Sequence, residues 1–136
     1  MMLDAMISKR YELKSPDDGS VLTFEIRDRL KEEISFDVSV KTPWFTGTTR
    51  SSTYTVPSPA ELFHEMAAEW MGWNEEKSWS DLEGNVEIAA TSDRTGHISL
   101  QVILNGQNGE SQLRTCLKFE AGQLEKFAKE IALLFE

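Results

Sequence analysis

The chain has 136 residues, of which 40% are hydrophobic and 27% are charged. A chain of this length can bury a proper core without a disulfide or a structural metal, so we expect a single domain over residues 1–136. Its apolar runs are far shorter than the roughly 18 residues that a membrane-spanning helix needs. Residues 1–10 also lack the long apolar stretch of a signal peptide. We therefore expect a cytoplasmic protein with no membrane partner.

The charge of the chain is strongly unbalanced. Fourteen Lys and Arg residues stand against 23 Asp and Glu residues, which gives a net charge of -9. Such a charge repels phosphate backbones, so we expect no nucleic-acid partner. The excess lies in residues 57–136, which carry 14 acidic and 6 basic side chains. Either these carboxylates form a solvated face that keeps the protein soluble, or they form a docking surface.

Alternating apolar and polar residues predict four strands in the first part of the chain. The pattern covers residues 6–14, 22–26, 34–41 and 49–56. In the fourth of these strands we expect Tyr54 and Val56 to face inward. A Pro- and Gly-containing turn at residues 15–19 separates the first two strands.

A helix start signal follows the fourth strand. Ser58 is placed to be the N-cap, Pro59 to occupy the first helical position, and Glu61 to complete a capping box. Helical spacing then defines an apolar stripe, and Gly72 is placed to end the helix. The stripe consists of Leu62, Phe63, Met66, Ala67 and Trp70.

Three more strands and a second amphipathic helix are predicted after residue 84. The strands cover residues 86–90, 97–104 and 113–119, and the helix covers residues 124–135. The predicted order is β-β-β-β-α-β-β-β-α. It favours an α+β fold with a single antiparallel sheet of six or seven strands and both helices packed on one face. The two halves share a layout of strands followed by a helix, without a repeat at the level of residues.

Motifs for catalysis and metal binding are missing from the sequence. His64-Glu65 begins like the zinc motif H-E-x-x-H, but Ala68 stands where the second histidine is needed. The sequence contains no G-x-S-x-G motif and no glycine-rich phosphate loop. We therefore predict no catalytic residue, no metal site and no cofactor.

Three of the four tryptophans fall within ten residues, at Trp70, Trp73 and Trp79. In one interpretation these rings pack the end of the helix onto the sheet, and their indole N–H groups bond to backbone carbonyls. In the other, one or two rings stay exposed among carboxylates and anchor a basic partner or cover a small pocket. The candidate binding residues under the second interpretation are Trp73, Glu75, Glu76, Trp79, Asp81, Glu83 and His97.

The same segment resembles the signature of a family of small bacterial proteins that is catalogued only as a domain of unknown function. The signature reads W-x-G-W, E-K-x-W and S-x-L-E-G, followed by a strand and a D-x-x-G-H turn. The resemblance covers roughly residues 60–105, and it implies a shared fold but no reaction, cofactor or partner. Its residues here are Trp70, Gly72, Trp73, Glu76, Lys77, Trp79, Ser80, Leu82, Glu83, Gly84, Asp93, Gly96 and His97.

These observations support three hypotheses about function. The first is a non-catalytic binding protein, such as an immunity-type inhibitor of a basic bacterial toxin, because an acidic surface with aromatic anchors would both attract and hold a basic cleft. The second is a small-molecule binder or enzyme with a pocket between the sheet and the Trp70 to Trp79 segment, with His97 or His64 as its polar group. The third is a module that forms a homo-oligomer.

Overall fold

The computed structural model describes residues 9–136, so the predicted strand residues 6–8 lie outside the described part. Its strands form two four-stranded antiparallel sheets in sequential order. Sheet 1 contains β1 (Arg10–Lys14), β2 (Val21–Arg29), β3 (Ile34–Lys41) and β4 (Thr46–Ser52). Sheet 2 contains β5 (Lys77–Ser80), β6 (Val86–Ser92), β7 (His97–Asn105) and β8 (Gln112–Glu120).

One helix follows each sheet. Helix α1 (Ala60–Ala68) links β4 to β5, and helix α2 (Leu124–Leu134) follows β8 after a short 3-10 turn. Ser58 stabilises the start of α1, because its Oγ accepts a hydrogen bond from the backbone N–H of Ala60 at 3.2 Å. The helices pack against each other and also contact strands of both sheets.

The antiparallel α+β class predicted from sequence is confirmed, whereas the single sheet is wrong. The connection through α1 ends sheet 1 at β4, and the next strand begins a second sheet. That strand, β5, was missed because its sequence KSWS is short and contains one apolar residue. The helices accordingly contact strands of both sheets instead of covering one face of a single sheet.

The fourth predicted strand was placed too late in the chain. β4 ends at Ser52, and Tyr54 lies in the following turn with 53% of its surface exposed, while Val56 is half-buried. The buried residues of β4 are Thr49 and Ser51. An inward face made of small hydroxyl residues gives no hydrophobic alternation, which is why the pattern pointed to the more apolar residues beyond it.

β4 lies across the strand ends of sheet 2. The hydroxyl of Thr49 donates to the backbone carbonyl of Asn105 at the end of β7, at 2.8 Å. The hydroxyl of Ser51 donates to the carboxylate of Asp81, just after β5, at 2.6 Å. The inward hydroxyls of β4 therefore join the two sheets.

β8 lies across the strand ends of sheet 1 in the corresponding way. It begins beside β4, where Leu113 packs against Gly47. It ends beside β1, where the Ser15 hydroxyl donates to the carbonyl of Lys118 at 2.6 Å. The last strand of each sheet thus borders the ends of the other sheet, and the two halves of the chain are arranged alike.

An aromatic cluster fills the space between the sheets and the helices. The rings of Phe36 and Phe135 meet edge to face with centroids 4.8 Å apart, a favourable geometry for aromatic pairs. Phe24 contacts Phe63 of α1 at 6.2 Å, and Phe36 contacts Trp79 of β5 at 6.2 Å. The core therefore includes one ring from the tryptophan-rich segment.

Candidate functional site

Residues 70–76, here called the Trp loop, connect α1 to β5. The loop is anchored by Trp73, whose buried indole N–H donates to the backbone carbonyl of Ala90 in β6 at 3.2 Å. Lys77 closes its base, because the ammonium pairs with Glu69 and also lies 5.5 Å from the centre of the Trp73 ring. A loop held at both ends in this way keeps a defined shape.

Gly72 brings the Trp loop against the turn between β6 and β7. Its φ of 120° is a conformation that side chains disfavour, and a Cβ there would lie 3.4 Å from the carbonyl oxygen of Asp93. Glycine is therefore needed where the chain reverses and approaches β6. The sequence predicted Gly72 as the helix end, although α1 itself ends at Ala68.

The Trp loop exposes two large apolar side chains. Trp70 is 59% exposed and Met71 is 77% exposed. Trp70 forms one wall of a shallow groove of about 360 Å³ that is otherwise lined by Ala67, Ala121, Gly122 and Glu125. Exposed aromatic and methionine side chains beside a groove are typical of binding surfaces.

The surroundings of the Trp loop are acidic. Residues 61–76 contain five glutamates and no lysine or arginine, and Glu69 is the member of that set paired with Lys77. Glu75 and Glu76 are exposed on the loop itself, and Glu125 lies on the groove. The basic side chains near the loop include Lys77 at its base and Arg94 on the neighbouring β6–β7 turn. The loop therefore offers an apolar centre with carboxylates around it.

Two of the candidate tryptophans lie in the core. Trp73 is 9% exposed and Trp79 is 6% exposed. The indole N–H of Trp79 donates to the carbonyl of Pro57 at 2.7 Å. Both indole N–H groups therefore bond to backbone carbonyls, as expected if these rings pack the end of the helix onto the sheet. The ring of the segment that remains exposed is Trp70, which the apolar stripe had placed inside.

Asp81 and Glu83 lie at the far end of sheet 2 from the Trp loop. Both follow β5 in the turn to β6, and the four residues of β5 separate this turn from the end of the Trp loop by about 15 Å. Asp81 is buried and accepts hydrogen bonds from the Ser51 hydroxyl and from the Asn85 backbone N–H, the latter at 2.7 Å. Glu83 is exposed. The structure thus divides the predicted set of carboxylates between two ends of the sheet.

His97 begins β7 and is exposed in a polar groove of about 410 Å³. Its Nδ1 lies 2.8 Å from the Thr95 hydroxyl and 3.2 Å from an Asp93 carboxylate oxygen. Its Nε2 lies 3.8 Å from a Glu120 carboxylate oxygen. The other lining residues are Pro16, Asp17, Ser99, Lys118 and Phe119.

The pKa of Asp93 is held well below its usual range. The largest cause is the backbone N–H of His97, which donates to the carboxylate at 3.0 Å, and the Thr95 hydroxyl and N–H add to it, each at 2.8 Å. A carboxylate whose pKa is lower in the folded state stabilises the fold above its unfolded pKa, and the contribution is lost as pH falls through the folded pKa.

Replacing Asp93 with alanine is therefore expected to lower the melting temperature at pH 7, and the difference from the wild type should shrink as the pH falls below about 4. Thermal unfolding of both proteins from pH 7 to pH 2.5 measures the effect. An equal difference at both ends of the range would contradict it.

The β3–β4 turn carries an exposed aromatic pair that was not predicted from the sequence. Trp44 is 76% exposed and Phe45 is 65% exposed, and both backbone N–H groups donate to the hydroxyl of Thr42. The sequence feature that could have indicated this pair is Pro43-Trp44-Phe45, which lies where the alternation of the third strand ends. This turn carries Lys41 beside it and no acidic residue from 38 to 49, so its surroundings differ from those of Trp70.

Two other features, a metal site and a membrane-spanning helix, are absent from the described residues. Within residues 9–136, no group of three or more His, Cys, Asp or Glu side chains is arranged to hold a metal ion. No helix in the same part of the chain is long and apolar enough to cross a membrane.

Comparison with known proteins gives a family and a fold. A family model described as "Family of unknown function (DUF6228)" matches residues 13–136. No curated protein matches significantly. Among solved structures, the chain is similar to one titled "Crystal structures of trypanosoma bruciei MRP1/MRP2", with a TM-score of 0.52 and 14% identity over 96% of this chain and 88% of that one. A likeness at this level of identity concerns the fold alone.

Proposed function

The chain belongs to DUF6228, a family of unknown function, and we propose that it is a non-catalytic protein-binding protein. Its Trp loop is the proposed binding site, and the proposed partner is a basic protein. The observation that carries this proposal is the exposure of Trp70 and Met71 on an anchored loop. A loop anchored in this way loses little backbone freedom on binding, and exposed tryptophans are over-represented among the residues that dominate binding energy at interfaces.

Charge favours a basic partner. The chain has a net charge of -9, and the carboxylates of Glu75, Glu76 and Glu125 lie beside the exposed apolar side chains. Opposite charge accelerates encounter and discriminates against acidic partners. A toxin domain with a basic cleft is a partner of this kind, so inhibition of such a toxin is the specific form of the proposal.

The test compares three forms of the chain as bait in cross-linked extracts of the source cell. One is the wild type, one is the surface variant Glu75→Gln/Glu76→Gln/Glu125→Gln, and the third is a control variant in which three distant carboxylates are neutralised. The control carries Glu83→Gln, Glu87→Gln and Glu110→Gln, all exposed and outside the Trp loop.

A basic protein should be recovered with the wild type and the control, and its recovery should fall at least roughly tenfold with the surface variant. Equal recovery with all three baits, or recovery of an acidic protein, would contradict the proposal. Melting temperatures of the three baits confirm that each is folded. Sedimentation of the purified chain shows whether self-association contributes.

The second candidate is binding of a small polar molecule, and the groove around His97 favours it. The groove brings an ammonium and carboxylates together, because Lys118, Asp17 and Glu120 line it with His97. Trp73 and Trp79, which belong to the segment that the sequence proposed for such a pocket, are buried. A metabolite that raises the melting temperature of the wild type, but not that of Lys118→Ala, would favour this candidate.

A further inference from the structure

The ends of the two helices occupy corresponding places in the two halves of the chain. Each helix ends beside the turn between the second and third strands of the other half. The end of α2 contacts β2 through Arg29, and the end of α1 approaches the end of β6, where Gly72 lies close to Ser92 and Asp93. The environment of one helix end can therefore be compared with that of the other.

At the end of α2, the chain supplies its own arginine. The guanidinium of Arg29 donates to the carbonyls of Leu134 at 2.8 Å and Glu136 at 3.1 Å. A cation at this position also meets the negative end of the helix dipole. The second and third strands of sheet 1 thus place a guanidinium on the helix end.

At the end of α1, the chain instead supplies Lys77, whose ammonium pairs with the carboxylate of Glu69. The last turn of α1 contains no basic residue, and the groups that meet Gly72 are the hydroxyl of Ser92 and the carbonyl of Asp93. The groove already described lies beside this helix end, and the Trp70 ring forms one of its walls. The other lining residues are Glu125 and three small residues, Ala67, Ala121 and Gly122.

We propose that this groove is the receptor for one arginine side chain of the basic partner. The small residues leave room for the methylene groups, the Trp70 ring provides a face for the planar guanidinium, and Glu125 supplies a carboxylate for paired hydrogen bonds. Arginine fits better than lysine, because a guanidinium can stack and form two parallel hydrogen bonds at the same time. This inference rests on the proposed function and names the chemical group recognised by the Trp loop.

The experiment follows the indole N–H resonances of the 15N-labelled protein during titration with two peptides of equal charge. The probes are acetylated, amidated hexaarginine and hexalysine. Trp44 is the internal control, because it is at least as exposed as Trp70 but has a lysine beside it. Single Trp-to-Phe variants at both positions assign the two resonances.

Hexaarginine should shift the Trp70 resonance and leave that of Trp44 unchanged, with an affinity at least roughly threefold higher than that of hexalysine. Glu125→Gln and Trp70→Leu should each weaken hexaarginine binding, whereas Glu83→Gln should not. Equal binding of the two peptides, or an unchanged Trp70 resonance, would overturn the arginine receptor.

The two proposals fail in different ways. If recovery of the cellular partner depends on the carboxylates while Trp70 does not respond to hexaarginine, the binding surface stands and the arginine receptor is wrong. If Trp70 responds selectively but no cellular partner depends on the surface, the receptor chemistry stands and the proposed function is wrong.

Discussion

Replacing Trp79 with alanine is expected to lower the free energy of unfolding by about 4 kcal/mol. The side chain is almost fully buried, its ring packs 6.2 Å from that of Phe36, and its indole donates to the Pro57 carbonyl at 2.7 Å. The substitution leaves a large cavity where β5, sheet 1 and the segment before α1 meet. It also removes the hydrogen bond to Pro57. Urea denaturation followed by circular dichroism measures the change.

The matched control is Trp70→Ala, nine residues earlier in the same segment. Because Trp70 is mostly exposed, its replacement should change the free energy of unfolding by no more than about 0.5 kcal/mol. It should nevertheless weaken binding of the basic partner if the Trp loop is the interface. Equal destabilisation by the two substitutions would contradict the division into a core tryptophan and a surface tryptophan.

Local structure was the most predictable part of this fold. Period-two alternation located strands β2, β3, β6, β7 and β8, and the D-x-x-G-H turn of the signature lies at the reversal between β6 and β7. Gly96 and Gly109 have φ values of 85° and 76°, which glycine adopts without strain. These features depend on contacts between near neighbours in sequence, which a local pattern reports directly.

The division into two sheets could not be read from the same patterns. Whether β5 pairs with β4 or begins another sheet depends on where α1 leads the chain and on contacts such as that of Thr49 with Asn105, 56 positions later. Nothing in the alternation of either strand contains that information. The identical layout of the two halves was visible in the sequence, but only as strands followed by a helix.

The site was half predictable for a related reason. Clustering of rare residues drew attention to residues 70–83, but rings in the core and rings at the surface look alike in a sequence. α1 ends at Ala68, which takes Trp70 off the apolar stripe, whereas β5 turns Trp79 inward opposite Ile88. The earlier end of the helix, at Ala68 and not at Gly72, therefore decides which tryptophan is exposed.

Asp81 likewise could not be told from an exposed carboxylate by its sequence, and its replacement is expected to have the second large effect on stability. Its side chain is 8% exposed and joins the two sheets by accepting from the Ser51 hydroxyl at 2.6 Å and from the Asn85 N–H at 2.7 Å. Asp81→Ala removes the carboxylate oxygens and leaves three donors unpaired at this junction, because the buried Val86 N–H also donates to Asp81, at 3.5 Å. Unpaired buried donors are costly, so the free energy of unfolding should fall by about 3 kcal/mol.

Two further variants separate this explanation from a general loss of negative charge. Asp81→Asn keeps a carbonyl oxygen for the Asn85 N–H, so it should cost less than alanine. Glu83→Ala removes an exposed carboxylate from the same turn and should change stability by no more than about 0.5 kcal/mol. Urea denaturation with an unchanged m-value tests all three. Equal losses of unfolding free energy for Asp81→Ala and Glu83→Ala would show that Asp81 does not join the two sheets. Removing a buried acceptor destabilises a protein more than removing a solvated carboxylate does.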